Sequence, residues 1–289
     1  MRGRDPVVSV IIPARNAAST IGYQLKALAS QHAAPPFEVI VADNGSSDGT
    51  AQVVESFANQ LDLKLVDASK RQGSAYARNQ AVERAATPHL LFCDADDRVS
   101  SHWVAALHVA LSNHELATGP VIMTGTSALN TGSDLSAPPD SRPRYRFLGL
   151  VPFAAANNLG LTAELFYRLG GFDCEMRYCQ DADLTLRAQV LGAELGWVPE
   201  AVVFRRARPT NAAAALQHFR WGVYEAYVYK KLRRSGLFEG MKRPVIRPYL
   251  GLAARAYCLV THRQRWWINS SARRAGRIVG SIRARVFCP

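Results

Sequence analysis

Short apolar segments alternate with helical segments through the first 125 residues, and this alternation constrains the fold more than any other feature. Between the first two apolar segments, Ile21, Leu25 and Leu28 recur at helical spacing. Strands that alternate with helices of this length predict βαβ units and a mainly parallel sheet. The predicted strands are residues 7–12, 37–42, 63–66 and 89–93, with another near 121–124.

Polar residues follow each predicted strand, at the point where the strand ends. In an open parallel sheet these ends meet at one edge, and ligands bind beyond it. We therefore expect the segments that begin at Pro13, Asp43, Gly73 and Asp94 to converge on one site.

Three carboxylates, those of Asp94, Asp96 and Asp97, follow directly after the apolar residues LLFC. Like charges this close repel one another, so we expect a cation to compensate them. Mg²⁺ and Mn²⁺ prefer oxygen ligands, and Asp94 and Asp96 can reach such an ion or a ribose. Helix capping is the alternative explanation for Asp97 or Ser100, because a helical stretch follows them.

The later part of the chain is less regular. Residues 130–144 are rich in Ser, Pro and Gly and predict a loop. Residues 181–192 predict a helix with Asp181 and Asp183 at its start, and strand-like segments follow at 194–198 and 201–205. After Pro209 the pattern is helical and basic to the end.

Length and composition set broad limits. The 289 residues, 48% of them hydrophobic, suffice for one large domain or two modest ones. No stretch of 18 or more apolar residues occurs, so we expect no transmembrane helix, and the N-terminal segment is expected to be a strand rather than a signal peptide. Five cysteines without paired metal spacing favour free thiols in a reducing compartment, hence a cytoplasmic location.

Positive charge is concentrated at the C-terminal end. Residues 201–289 contain 19 Lys and Arg against two acidic residues, a net +17, whereas the first 200 residues carry a net −5. Such a region predicts a polyanionic partner or, alternatively, a solvated helical surface rich in Arg. Because Arg alternates there with Trp266, Trp267 and Ile268, we favour an anionic membrane surface over nucleic acid. The oligomeric state is not indicated.

The order of the motifs resembles that of family 2 glycosyltransferases of the GT-A fold. The matching segments are VSVIIPARN, VIVADNGSSDGT, GSAYARNQAVERA, LLFCDADD, GGFD and QDADLTLRA, between about residues 7 and 205. The resemblance implies an α/β fold with a Rossmann-like, mainly parallel sheet flanked by helices, and a role in glycan or cell-envelope biosynthesis. We expect a GT-A domain at 1–209, with a donor half at about 1–125 and an acceptor half at about 145–209. A basic helical C-terminal region would follow at 210–289.

The resemblance also implies roles for individual residues in binding a nucleotide-diphosphate sugar and a divalent metal, Mn or Mg. Asp96 and Asp94 would hold the metal, with Asp96 the direct ligand, and Asp181 would be the general base that deprotonates the acceptor. From the resemblance, the residues expected to contact the nucleotide sugar are Pro13, Ala14, Asn16, Asp43, Arg78, Asp94 and Asp96. Arg205 is expected among them for a different reason, which is that its guanidinium can pair with phosphate.

The sequence departs from the family pattern in three places. Asn44 replaces a frequent second Asp, and Gln180 replaces the usual Glu before Asp181. Arg205 and Arg206 stand where many relatives have a His near the metal. Arg cannot ligate a metal but can pair with phosphate. Either the metal therefore has fewer protein ligands here, or a fixed positive charge helps it to stabilise the diphosphate.

Four residues are candidates for acceptor binding. Gln217, Arg220 and Trp221 lie in QHFRWG, which resembles the QxxRW segment of processive polysaccharide synthases. The alternative for this segment is an amphipathic helix with Phe219 or Trp221 packed inward. Asn158 is the fourth candidate, with helix capping as its alternative.

The expected function is an inverting transfer of a sugar to a hydroxyl of a glycan, lipid-linked or small-molecule acceptor. Two alternatives stay open, a polyprenyl-phosphate sugar synthase and a catalytically weakened nucleotide-sugar binding protein. The expected location is cytoplasmic, with peripheral attachment to the inner face of the cell membrane through the basic region.

Overall fold

The computed structural model describes residues 5–124, 145–206, 210–238 and 264–288. The predicted loop at 130–144 lies outside these residues, as do several basic residues of the C-terminal region. The strands are β1 (Val8–Ala14), β2 (Phe37–Asp43), β3 (Leu63–Asp67), β4 (His89–Phe92), β5 (Arg98–Val99), β6 (Leu116–Thr118), β7 (Val121–Thr124), β8 (Arg146–Phe147), β9 (Val151–Pro152), β10 (Leu159–Thr162), β11 (Leu195–Trp197) and β12 (Val203–Arg206). The helices are α1 (Ile21–Ala29), α2 (Thr50–Glu55), α3 (Ser74–Val82), α4 (Trp103–Ala110), α5 (Ala163–Arg168), α6 (Gln180–Val190), α7 (Asn211–Leu232) and α8 (Gln264–Ala284).

The central sheet has seven strands in the order β11-β6-β10-β4-β1-β2-β3. Strand β1 pairs in parallel with β2 and β4, and β2 pairs in parallel with β3, which confirms the predicted βαβ series. Strand β10 is antiparallel to both of its neighbours, an insertion that the sequence pattern does not predict. The sheet is therefore mainly but not wholly parallel.

Both faces of the sheet are covered, which is why its central strands are apolar at successive positions. Val10 and Ile12 pack on one face, in a cluster that includes Trp103 of α4. Ile11 points to the other face, into a cluster that includes Leu165 of α5 and Leu184 of α6. Successive side chains of a strand point to opposite faces, so β1 serves both clusters.

A second, smaller sheet brings a basic segment to the edge of the first. Strand β12 pairs in parallel with β7 and antiparallel with β5. Strand β5 follows the Asp94–Asp97 segment almost directly, so this pairing places Arg205 and Arg206, at the end of β12, near the predicted site. Asp97 does not cap the helix that follows, because α4 begins at Trp103 without a side-chain cap.

The region after residue 209 contributes two described helices that cross very closely. A Cβ atom added at Gly222 of α7 would lie 1.9 Å from Arg273 O, and one at Gly276 of α8 would lie 2.0 Å from Phe219 O. Only residues without a Cβ allow backbones to approach this far. Helices α7 and α8 also share an apolar cluster with Leu186 of α6. No helix in the described ranges is long and apolar enough to cross a membrane.

Candidate active site

A cavity of about 680 Å³ opens where strands β1 and β4 end. Its lining comes from four parts of the chain: the loops after the parallel strands, the segment at 145–157, the start of α6 with the end of β12, and the C-terminal helices α7 and α8. The sequence-predicted residues that line it are Pro13, Ala14, Asn16, Arg78, Asp94, Asp96, Asp181, Arg205, Gln217 and Trp221. The structure thus brings most of the candidate residues together around one space.

The loop after β1 is tied to the loop after β2. Asn16 adopts a left-handed conformation, with φ of 50°, and its Oδ1 accepts a hydrogen bond from Ser47 N at 2.9 Å. Asp43 Oδ1 accepts from both the backbone N and the hydroxyl of Ser46, at 2.9 and 2.6 Å. Asp43 is not among the described residues that line the cavity, so its Oδ1 shapes the loop beside the site.

Asn44, which departs from the family pattern, braces the loop that leads into α3. Its Nδ2 donates to Ala68 O and Arg71 O, and its Oδ1 accepts from Gly73 N at 2.8 Å. A carboxylate could not make the two donated hydrogen bonds. The substitution therefore has a structural reason in this chain, and it fixes the start of the helix that carries Arg78.

Arg78 supplies part of the positive charge expected opposite the acidic segment. Its Nη2 donates to Asp94 Oδ1 at 2.6 Å, and its side chain is almost fully buried. Its Nε and Nη1 have no hydrogen-bond partner among the residues that the structure describes. Buried donors of this kind are normally satisfied, so Arg78 has capacity for an anionic ligand in the cavity.

Asp94, Asp96 and Asp97 form a carboxylate cluster whose oxygens lie within 4.8 Å of one another. Three oxygen donors at this spacing fit a hard divalent cation such as Mn²⁺ or Mg²⁺. Asp97 is buried and accepts a hydrogen bond from Asn157 Nδ2 at 2.6 Å. Burial, followed by the charges of Asp94 and Asp96, raises the pKa of Asp97 well above its usual range, although Arg205 and the Asn157 hydrogen bond oppose this.

Arg205 faces this cluster from the end of β12. Burial acts against its charge, but Tyr145, Asp97 and Asp94 outweigh that effect and raise its pKa above the ordinary arginine value. Its Cζ also lies over the ring of Trp221, 5.9 Å from the centroid. Arg205 is therefore a permanently charged group between the acidic segment and α7.

Asp181 lines the cavity at the start of α6. Cys179, with φ of 58°, turns the chain sharply into this helix. Asp181 Oδ2 accepts from Ala156 N at 3.3 Å, and Oδ1 accepts from Ala182 N at 2.9 Å. Gln180 stands in place of the usual acid, and its Nε2 donates to Ser74 Oγ at 2.7 Å. Asp181 is therefore the carboxylate that α6 contributes to the lining of the cavity.

Asp183 has a structural environment. Its side chain is fully buried and pairs with Arg187 at 2.8 Å and Lys231 at 2.9 Å. Lys231 belongs to α7, so this ion pair also joins the C-terminal region to α6.

The expected acceptor-binding residues separate into two groups. Gln217 and Trp221 line the cavity, whereas Arg220 is exposed and donates to Tyr178 OH at 3.0 Å. The prediction that Asn158 contacts an acceptor is wrong for this conformation, because the residue is fully buried. Its amide accepts from Trp103 Nε1 at 2.8 Å and donates to two backbone carbonyl oxygens, so it joins the core instead.

Several residues that line the cavity could not be identified as site residues from the sequence motifs. Arg177, Glu225 and Arg273 line the cavity, and the last two come from α7 and α8. Arginine is frequent throughout the C-terminal region, so composition did not distinguish Arg273 from its neighbours. The usable signal was the glycine spacing GRIVG at 276–280, which is typical of closely packed helices.

Comparisons with known proteins agree on one family. Residues 9–169 match the model of Glycosyl transferase family 2. The chain is 28% identical over 237 residues to Glycosyltransferase AglE of Haloferax volcanii, which covers 78% of this chain and 74% of that protein. It is 30% identical over 203 residues to Validoxylamine A glucosyltransferase of Streptomyces hygroscopicus subsp. limoneus, which covers 58% of this chain and 44% of that protein.

Among solved structures, the chain is similar to the mannosyltransferase PcManGT from Pyrobaculum calidifontis, solved in complex with GDP-Man and Mn²⁺. The two share a TM-score of 0.66 at 20% identity, over 96% of this chain and 87% of that one. This likeness concerns the fold, which is the mixed α/β architecture of GT-A glycosyltransferases.

Proposed function

The chain belongs to glycosyl transferase family 2 and is therefore an enzyme that transfers sugars; on this basis we propose that it moves a sugar from a nucleotide-diphosphate sugar to a hydroxyl group, with inversion at the anomeric carbon. The observation that carries the proposal is the meeting of Asp94 and Asp96 with Asp181 in a single cavity. An inverting transfer is one displacement, which needs cationic help for the leaving diphosphate and one base for the acceptor.

On the donor side, Pro13, Ala14 and Asn16 would lie beside the nucleotide, with Arg78 near its phosphates. Asp96 and Asp94 would hold a divalent ion, Mn²⁺ or Mg²⁺, which when bound supplies Lewis-acid stabilisation of the leaving diphosphate.

Arg205 adds a permanent positive charge next to the same carboxylates. Guanidinium groups form two-point hydrogen bonds with phosphate, so Arg205 would share the stabilisation of the leaving diphosphate. We therefore expect partial rather than strict metal dependence.

On the acceptor side, Asp181 would accept the proton of the attacking hydroxyl. Positioned proton transfer contributes roughly 10²–10⁴-fold to such reactions. The hydrogen bond from Ala156 N holds one of its oxygens in place, so the carboxylate is oriented before a substrate arrives. This placement favours an active transferase over a binding protein that has lost turnover.

Calorimetric titration tests the donor site. UDP, GDP and dTDP are each titrated with and without Mn²⁺ into the wild type, Asp96→Asn, and the exposed control Asp62→Asn. We expect one nucleotide to bind in the micromolar range, Asp96→Asn to weaken binding only when Mn²⁺ is present, and Asp62→Asn to match the wild type. Absence of binding of all three to the folded wild-type protein would contradict the proposed donor site.

We also propose peripheral attachment to the inner face of the cell membrane, with the basic region at 210–289 as the attached part. On α8 and just beyond it, Ile278, Ile282 and Phe287 are 52%, 73% and 63% exposed beside several arginines. Apolar side chains among basic residues suit an anionic bilayer surface. Co-sedimentation with vesicles of phosphatidylglycerol and phosphatidylcholine tests this, and equal recovery with phosphatidylcholine alone would contradict it.

A further inference from the structure

We infer that Asn157 is a specificity-determining residue, whose side-chain oxygen accepts a hydrogen bond from a hydroxyl group of the transferred sugar. The inference rests on the proposed function and deepens it, because it names a group of the donor that the cavity recognises. It starts from a buried hydrogen-bond acceptor that the described part of the protein leaves unused.

The side chain of Asn157 is buried, but only one half of its amide is paired. The residue lines the cavity and is 3% exposed. Its Nδ2 donates to Asp97 Oδ2 at 2.6 Å, whereas its Oδ1 has no hydrogen-bond partner within the described ranges. Buried amide oxygens are normally paired, because an unpaired one has given up its hydrogen bonds to water without replacement. This oxygen therefore points to a ligand that brings an O–H or N–H donor.

The contact with Asp97 leaves Oδ1 as the polar side-chain atom that Asn157 can offer to a ligand. The amide nitrogen faces Asp97, so the amide oxygen, on the other side of Cγ, faces away from it. Asp97 is absent from the cavity lining in the part of the chain that the structure describes, whereas Asn157 belongs to that lining. The unpaired oxygen is therefore available to a molecule that fills the cavity.

Asn157 lies between the two chemical centres of the proposed reaction. On one side it binds Asp97, a member of the carboxylate cluster whose oxygens lie within 4.8 Å of one another. On the other side the backbone N of its neighbour Ala156 donates to Asp181 Oδ2 at 3.3 Å. A displacement with inversion places the leaving group and the attacking hydroxyl on opposite faces of the reacting sugar. The transferred ring would therefore lie between the carboxylate cluster and the base, beside Asn157.

The chemistry of Oδ1 favours a sugar hydroxyl over the other groups of the donor. A diphosphate presents oxygens that accept hydrogen bonds, so it cannot satisfy an amide oxygen, which also only accepts. The hydroxyl groups of a sugar ring can donate. A site that binds a hydroxyl through a buried polar group discriminates against an analogue that lacks it, because the polar group is then left unpaired.

The turn that carries Asn157 is fixed before any ligand binds. The next residue, Asn158, is fully buried and makes three side-chain hydrogen bonds in the core. Asn158 N also donates to Ala155 O at 2.9 Å, which closes a turn directly before β10. Since β10 lies inside the central sheet, between β4 and β6, the turn is tied to the most rigid part of the domain. Asn157 can therefore offer its acceptor in one position, as a specificity contact requires.

Calorimetric titration in the presence of Mn²⁺ tests the inference through one ratio, the affinity for a nucleotide sugar divided by the affinity of the same protein for its nucleoside diphosphate. The donors are UDP-glucose, UDP-galactose, UDP-N-acetylglucosamine, GDP-mannose and dTDP-glucose. The variants are Asn157→Ala and Asn157→Leu, of which the second fills a similar volume without polar atoms. The matched control is Asn113→Ala, the same substitution at an exposed asparagine. The donor that binds the wild type most tightly is then compared with its monodeoxy analogues.

We expect the ratio to fall by about three- to tenfold in both Asn157 variants, the effect of one neutral hydrogen bond, and to stay unchanged in Asn113→Ala. Because each ratio refers to the diphosphate affinity of the same variant, the lost contact with Asp97 does not enter it. In the wild type, one deoxy analogue should bind about three- to tenfold more weakly than its parent. In the Asn157 variants, removal of that hydroxyl should cost about twofold or less, because its partner is already gone.

Four results would overturn the inference: exclusion of all these donors by protein that binds a diphosphate, no deoxy analogue that binds the wild type more weakly, an unchanged ratio in both Asn157 variants, or sensitivity to the same hydroxyl that persists in them. An unchanged ratio with weaker diphosphate binding would assign Asn157 only to holding Asp97. If neither variant folds, the deoxy series on the wild type decides the matter. Failure of the proposed function is seen separately, as absence of nucleoside diphosphate binding in the first titration.

Discussion

Replacing Gly276 with Ala tests whether the close crossing of α7 and α8 holds the acceptor side together. The new Cβ would lie 2.0 Å from Phe219 O. Ordinary van der Waals contacts need about 3.5 Å, so the shortfall exceeds ~1 Å. Both clashing positions belong to helix backbones, which cannot turn aside as a flexible side chain can. The two helices must therefore separate, which also stretches the 2.8 Å hydrogen bond between Arg273 and Glu225.

The expected cost follows from three contributions. Overpacking costs about 1–3 kcal/mol, and complete loss of a buried ion pair would add about 3–5 kcal/mol. The higher helix propensity of Ala offsets about 1 kcal/mol. Because the ion pair is strained rather than removed, we expect the free energy of unfolding to fall by about 2–4 kcal/mol.

Urea unfolding followed by far-ultraviolet circular dichroism measures this difference. The control is Gly22→Ala in α1, where the added Cβ would be 3.7 Å from Val53 Cγ1, an ordinary contact. This control should be within about 1 kcal/mol of the wild type, because the only change is helix propensity. If Gly276→Ala is as stable as Gly22→Ala, the reasoning from the helix crossing is refuted.

Three further predictions concern single residues. Asp181→Asn should slow sugar transfer by roughly 10²–10⁴-fold without weakening nucleoside diphosphate binding, and an unchanged rate would exclude it as the base. Asp183→Asn should lower the free energy of unfolding by about 1.5–3 kcal/mol in urea titrations, because it removes the buried carboxylate that pairs with Arg187 and Lys231; wild-type stability would contradict this. The pKa of His89 is lowered by burial and then by His108, whose Nδ1 lies 2.9 Å away. His89 therefore binds a proton more readily in the unfolded chain than in the folded protein. The free energy of unfolding should fall as the pH drops from about 6.5 to below the lowered pKa of His89 in the folded protein. His89→Gln should lose less stability between about pH 7.5 and pH 5 than the wild type, and equal losses would contradict the assignment.

Much of the fold could be predicted because its signals are local. Each of the strands β1 to β4 carries its own apolar run, and each following helix carries its own period, so no distant contact is needed to recognise them. Strand β10 was missed because LGLT is short and contains a glycine. It becomes a strand only through pairing with β4 and β6, which are distant in the sequence.

The candidate site also contains residues that could be predicted from the sequence and a residue that could not. Asp94, Asp96 and Asp181 could be proposed from motif order and from the rule that ligands bind at the ends of parallel strands. Asn158 could not be judged correctly, because an amide looks the same in a sequence whether it faces a pocket or the core. Its burial depends on Trp103 and on backbone carbonyl groups from two other segments.

The sequence by itself determined the βαβ order, the acidic segment after β4 and the basic character of the C-terminal region, because these depend on neighbouring residues. Only the tertiary structure decided how the positive charge is used. It buried Glu225 between Arg273 and Arg277, and it brought α8 against α7 through glycines that lie more than 50 residues apart in the chain. Charge density can be read along a chain, but the position of one guanidinium depends on where two helix backbones can touch.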